Sequence, residues 1–144
     1  ISIAGVPIDI SKIKVPAYFI STVEDHIAPW KSTYLGAKLF SGPVRFVLGG
    51  SGHIAGIVNP PAANKYGFWI NDAAKLPATA DDFLAGSTQH PGSWWTDWNE
   101  WVTGLDGGKK VAARKPGAGS LKVLEEAPGS YVKFRLDTQK KESA

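Results

Sequence analysis

The sequence predicts an α/β fold built on a parallel sheet. Two runs rich in apolar, aromatic and β-branched residues, Val15 to Ser21 and Val44 to Leu48, read as buried strands. Between them Trp30, Tyr34, Ala37 and Phe40 recur at helical spacing. Strand, helix and strand within about 30 residues form a βαβ unit, whose strands run parallel.

The opening stretch, Ile1 to Ile10, reads as strand-like but starts with no cap or leader. The chain contains no Met, so Ile1 is not expected to be a native start, and the N-terminus is expected to be a cut through a longer protein. Pro29 suits the first turn of the Trp30–Phe40 helix, and Ser41-Gly42-Pro43 stops it. After the second strand the chain turns irregular. Asn59-Pro60-Pro61 forbids a helix there, and Asn71-Asp72 to Pro77 reads as loop. Thr79 to Leu84 predicts a short helix with Thr79 as N-cap and Asp82 three residues on. Trp94, Trp98, Trp101 and Leu105 then fall on one face of a helix capped by Ser93, and that face is expected to be core. Gly107-Gly108-Lys109-Lys110 ends it. Val111 to Gly119 has linker chemistry, and the alternation from Tyr131 to Leu136 predicts a late edge strand.

A chain of 144 residues can bury one sizeable core, and 43% hydrophobic with 20% charged residues is an ordinary globular balance. No run approaches the roughly 18 apolar residues of a membrane span. The absence of Cys excludes disulfides. The formal charge of +3 is uneven: residues 1–108 carry 7 basic and 9 acidic side chains, residues 109–144 carry 9 and 4. The positive balance is therefore a property of the tail, which lacks the basic–aromatic alternation of a single-strand binder, and no nucleic-acid partner is expected.

Two residues stand where α/β sheets gather ligands, just past the carboxyl ends of the predicted parallel strands. Asp25 follows the first strand and His53 the second, in Gly49-Gly50-Ser51-Gly52-His53. An acid and a histidine in that order are two members of a nucleophile–acid–His triad, the acid fixing the tautomer of the base. The third member is absent, since there is no Cys and no Gly-x-Ser-x-Gly before Asp25. Glu24 competes for the role of acid, and Asp25 could instead cap the Trp30 helix.

Other motifs weigh less. Gly50-Ser51-Gly52-His53-Ile54-Ala55 fits a dinucleotide fingerprint with Asp72 about 20 residues on. That fingerprint needs a helix opening at the loop, which Pro60 and Pro61 cut short, and a second strand ending in the acid. No Gly-Lys-Ser/Thr follows, so a P-loop is excluded. His26, His53 and His90 do not form a metal pattern, and neither metal nor cofactor is expected. A Trp face could also serve as a polymer platform.

Glu24-Asp25-His26-Ile27-Ala28-Pro29-Trp30, Arg45 to Gly56, Asn59-Pro60-Pro61, Gly92-Ser93-Trp94-Trp95-Thr96-Asp97-Trp98 and Ala127 to Lys133 agree in order and spacing with one family. From about Gly5 to Lys133 the chain resembles the C-terminal part of class I polyhydroxyalkanoate synthases. That resemblance implies an α/β-hydrolase-like fold. Residues 1–108 would be the C-terminal part of the catalytic domain: the last parallel strands with their crossover helix, then the Trp-rich helix. Residues 109–144 would be a linker and basic tail. It implies polymerisation of hydroxyacyl-CoA thioesters into polyester, in cytoplasmic granules, with the granule surface as partner and a homodimer in the full-length enzyme. Asp25 would be the triad acid, His53 the base and His26 a pocket residue, serving a Cys in an upstream Gly-x-Cys-x-Gly elbow. The alternatives are a serine α/β-hydrolase, esterase or depolymerase, using the same two residues, and a non-catalytic module gripping polymer or granule.

Overall fold

The computed structural model describes residues 1–135 apart from Asp106, Pro116 and Ala118. The chain divides into two units, Ile1–Gly108 and Lys109–Ala144.

The first unit is mixed α/β. Its N-terminus is not one strand but a small exposed hairpin, β1 (Ser2–Ile3) and β2 (Val6–Pro7). Positive φ at Ala4 and Gly5 folds it back, the requirement of a tight two-residue hairpin turn. The main sheet has four strands in the order β3 (Ala17–Thr22), β4 (Val44–Gly49), β5 (Phe68–Ile70), β6 (Thr88–His90). β3 and β4 are parallel, with Ala17 opposite Val44 and Thr22 opposite Gly49, and helix α1 (Trp30–Ala37) crosses between them. The βαβ unit is therefore present. The sheet as a whole is mixed, because β5 and β6 add antiparallel. Both were missed as strands. Asp72 does follow a strand, β5, but β5 runs against β4, which the parallel nucleotide-binding unit does not allow.

Alternation along β4 sends side chains to two cores. On one face Phe46 and Leu48 meet Trp30, Tyr34 and Ala37 of α1 and Ala80 and Phe83 of α3 (Ala80–Ala85). Tyr34, Phe46 and Phe83 meet ring to ring at 5.1–5.3 Å. The Thr79 cap is as expected, its Oγ1 accepting from Asp82 N at 3.0 Å. On the other face Val47, Phe68, Ile70 and Trp94 form the second core, with Tyr18, Ile20, Ile57, Trp95 and Trp98 packed against it. Here lie α2 (Ala55–Val58) and α4 (Trp95–Leu105).

The Trp-rich helix departs from the uniform buried stripe. Trp94 precedes the helix and is the buried ring, 4% exposed. Trp98 and Trp101 are half-buried and Leu105 is exposed. From Trp94, which packs on β4 and β5 just before the helix, α4 runs to β3 at Trp101, which meets Tyr18 at 5.3 Å. Among the described residues no strand lies beyond β3, so Leu105 has nothing to cover. Trp94→Ala should therefore cost about 3–5 kcal/mol of stability, and Trp98→Ala clearly less, measured by urea unfolding.

The same helix carries a buried charge. Arg45, at the start of β4, donates through Nε to Asp97 Oδ2 (2.8 Å) and through Nη2 to Oδ1, and Tyr18 Oη donates to Oδ2 (2.9 Å). Asp97 is 9% exposed. Hydrogen bonding to Asp97 pushes the Arg45 pKa up, and burial, then the nearby carboxylate, pushes up the Tyr18 phenol.

In the second unit the described residues form no strand. Ser130–Lys133 is a short 3-10 turn, with Phe134 N bonded to Tyr131 O, where an edge strand was expected. Alternation without a partner strand has no ladder to join. Leu136 lies outside the described residues.

Candidate functional site

β3 and β4 end in register at Thr22 and Gly49, and the two chains leave the sheet together. Val23 N donates to Gly49 O (2.9 Å) and Glu24 N to Ser51 O (3.0 Å), carrying the ladder past the strands. Asp25 N then donates to Thr22 O (3.2 Å) and turns the first loop. The second loop bends with Ser51 at φ +69°, a left-handed conformation uncommon for a side chain-bearing residue. Its glycines admit close approaches: a Cβ on Gly50 would lie 2.4 Å from Tyr66 O, and one on Gly56 would lie 2.4 Å from Gly50 O.

These loops bring Asp25 and His53 together. Asp25 Oδ2 lies 2.8 Å from His53 Nδ1. Oδ1 accepts from Ile27 N (2.9 Å) and Ala28 N (2.8 Å). The acid side chain is 6% exposed, while that of His53 is 43% exposed. Pairing through Nδ1 leaves Nε2 as the nitrogen available to a reacting group. The Ala28 amide first, then the His53 hydrogen bond, hold the Asp25 carboxyl below its ordinary pKa. Its contribution to stability is thus complete above the ordinary carboxylate range and lost as pH falls through the depressed value.

Asp25 does not cap α1. The residue before that helix is Pro29, and no side chain caps it there. Glu24 and His26 sit in the same loop with exposed side chains, and neither hydrogen-bonds to His53 among the described residues. The sequence pattern gives Ser93 as a cap and Trp94 as core, but not the hydrogen bonds that Ser93, Trp94 and Trp95 make to the end of α2, nor the place of Asp97. A signal for Asp97 was present: with Trp94, Trp98 and Trp101 it completes an i, i+3, i+4, i+7 stripe, a charged residue on an inward face.

An acid holding a histidine at the carboxyl end of parallel strands, in a mixed α/β sheet, defines a site able to take a proton from a nucleophile. The chain matches no protein-family model. It is 47% identical to the poly(3-hydroxyalkanoate) polymerase subunit PhaC of Cupriavidus necator, over 94% of this chain and 23% of that protein. It is 50% identical to the subunit of the same name from Rhizobium etli, over 91% of this chain and 20% of that one. It is 36% identical to poly(3-hydroxyalkanoate) polymerase 2 of Ectopseudomonas oleovorans, over 94% and 24%. The resemblance carried by the motifs is thus shown: the chain is similar to a C-terminal part of the poly(3-hydroxyalkanoate) polymerases. It spans 20% to 24% of the length of these relatives.

Proposed function

We propose that this chain is the C-terminal part of the α/β-hydrolase-like catalytic domain of a polyhydroxyalkanoate synthase, with residues 1–108 in that domain and residues 109–144 a linker and basic tail. It supplies Asp25 and His53 to a Cys nucleophile earlier in the whole protein. The observation that carries this reading is the 2.8 Å contact between Asp25 Oδ2 and His53 Nδ1 at the strand ends. Further support comes from β3, which pairs only with β4 among the described residues and offers its other edge to a continuing sheet. The names of the relatives give the polymer, a poly(3-hydroxyalkanoate); in this reading the substrate is a hydroxyacyl thioester of CoA and the polyester grows in cytoplasmic granules.

In the proposed chemistry His53 Nε2 takes the proton of the thiol, and the thiolate attacks the thioester carbonyl. The carbon–sulfur bond to CoA breaks and His53 returns the proton to the departing CoA thiolate, leaving an acyl-enzyme. Asp25 keeps the proton of the imidazole on Nδ1 and stabilises the imidazolium while His53 holds the second proton. In chain extension a hydroxyl attacks the acyl-enzyme and needs a base as well. Both Asp25 oxygens are already engaged, one by two amides and one by His53, which favours His53 for both steps. His26, exposed beside the acid, is assigned to the substrate pocket. The granule surface and a homodimer belong to the whole enzyme in this reading.

The chain by itself should transfer no acyl group. Incubated with hydroxybutyryl-CoA, it should release thiol only at the buffer rate, whereas the complete polymerase releases CoA. Release by the chain that disappears in His53→Ala would place the nucleophile within these 144 residues and overturn the proposal.

A further inference from the structure

His53 stands at the entrance to α2, a helix of only four residues, Ala55–Val58. Gly56 N donates to Gly52 O (2.9 Å), closing a turn around His53, so the place of α2 sets the place of the imidazole. So short a helix has little stability of its own and leaves its last carbonyls without partners. In a continuing helix Gly56 O and Ile57 O would accept from residues 60 and 61. Both are prolines and have no N–H.

Three consecutive side chains at the start of α4, Ser93, Trp94 and Trp95, cap the carbonyls at the end of α2. Trp94 Nε1 donates to Gly56 O (3.1 Å) and Ile57 O (3.2 Å). Trp95 Nε1 donates to Ile57 O (3.2 Å) and Val58 O (3.2 Å). Ser93 Oγ donates to Asn59 O (2.6 Å). Asn59 Nδ2 returns bonds to Lys65 O (3.1 Å) and Gly92 O (3.4 Å), tying the turn to the loop after α2. The two indoles stack at 4.4 Å, which fixes their N–H groups side by side. On its inner side α2 has no slack, because Gly56 lies against Gly50 O and Thr22.

We infer that Trp94 and Trp95 are positioning residues for His53, their indole N–H groups standing in for the amides that Pro60 and Pro61 lack, while Ser93 holds the carbonyl of Asn59 just beyond. The inference rests on His53 being the catalytic base. Tryptophan suits the task because it fills a core position and still presents a donor at its edge. Phenylalanine keeps an aromatic ring, smaller than the indole, and loses the donor.

The test is made in the complete polymerase with Trp94→Phe, Trp95→Phe and the double variant, beside Trp98→Phe. Trp98 packs against the same core and makes no hydrogen bond to α2 among the described residues. Misplacing a reacting group by about 1 Å can cost a hundredfold in rate, so the double variant should lose about tenfold or more in kcat. KM should stay within about twofold, since substrate contacts are untouched. Trp98→Phe should move melting temperature without that selective loss of kcat. If the donor variants match Trp98→Phe in kcat and KM, the indoles only pack and the inference is overturned. Should the double variant fold poorly, the more exposed Trp95→Phe gives the same comparison on its own. His53→Ala is run alongside: an active His53→Ala enzyme overturns the catalytic reading and this inference together, whereas an inactive one with unaffected Trp variants overturns this inference alone.

Discussion

Asp25→Asn in the complete polymerase should lower turnover by about 10⁴, as loss of the acid does in serine-protease triads. Asn Oδ1 can still accept from the Ile27 and Ala28 amides, so the loop keeps its shape. What changes is the side facing His53. An amide N–H₂ there donates to Nδ1 and forces the proton of the neutral ring onto Nε2, the nitrogen that must be bare to act as base. No carboxylate then remains to stabilise the imidazolium. Glu24→Gln should be near neutral, because Glu24 makes no bond to His53 among the described residues. Following acylation and chain extension separately refines the result. A variant that acylates the Cys normally and fails only in extension would assign Asp25 to the hydroxyl instead. A crippled Glu24→Gln beside an active Asp25→Asn would show that the acid is misassigned.

The second large effect is on stability. Arg45→Met should cost about 3–5 kcal/mol, because it strands the Asp97 carboxylate, 9% exposed, against apolar side chains with only the Tyr18 hydroxyl as partner. Adding Asp97→Leu should restore much of the loss, since exchanging both charges for apolar groups of similar size is often neutral. Urea unfolding followed by tryptophan fluorescence reads both. The effect concerns more than α4, because Arg45 and Tyr18 open the two strands whose far ends carry His53 and Asp25. A double variant less stable than Arg45→Met would mean that the network contributes more than charge compensation.

The parts of the fold legible in the sequence are those with a long, unambiguous pattern. β3 and β4 each carry a run of apolar residues and α1 a set of them at helical spacing, and the structure has all three within a few residues of the expected limits. β5 is three residues, Phe68-Trp69-Ile70, and is too short to show a period. β6 is Thr88-Gln89-His90, polar throughout, and is a strand because β5 offers it a ladder. The hairpin at the N-terminus turns on positive φ at Ala4, which no side chain announces. Asp25 and His53 were legible because parallel strands deliver their loops to one end of the sheet. The contact between them, and the exclusion of Asp25 as a helix cap, depended on where the Ile27 and Ala28 amides point. The hydrogen bonds of Trp94 and Trp95 were hidden for a different reason. A tryptophan stripe reads as packing, and only the spatial neighbourhood of Pro60 and Pro61 discloses what the indole N–H groups are for.

The first turnover tests the central claim most directly. Wild-type, Asp25→Asn and His53→Ala forms of the complete polymerase are mixed rapidly with saturating hydroxybutyryl-CoA, and released CoA is counted against enzyme active sites. A histidine that generates the thiolate predicts a burst of about one CoA per site in the wild type and none on that timescale in His53→Ala. A burst of normal rate and size in His53→Ala would contradict it.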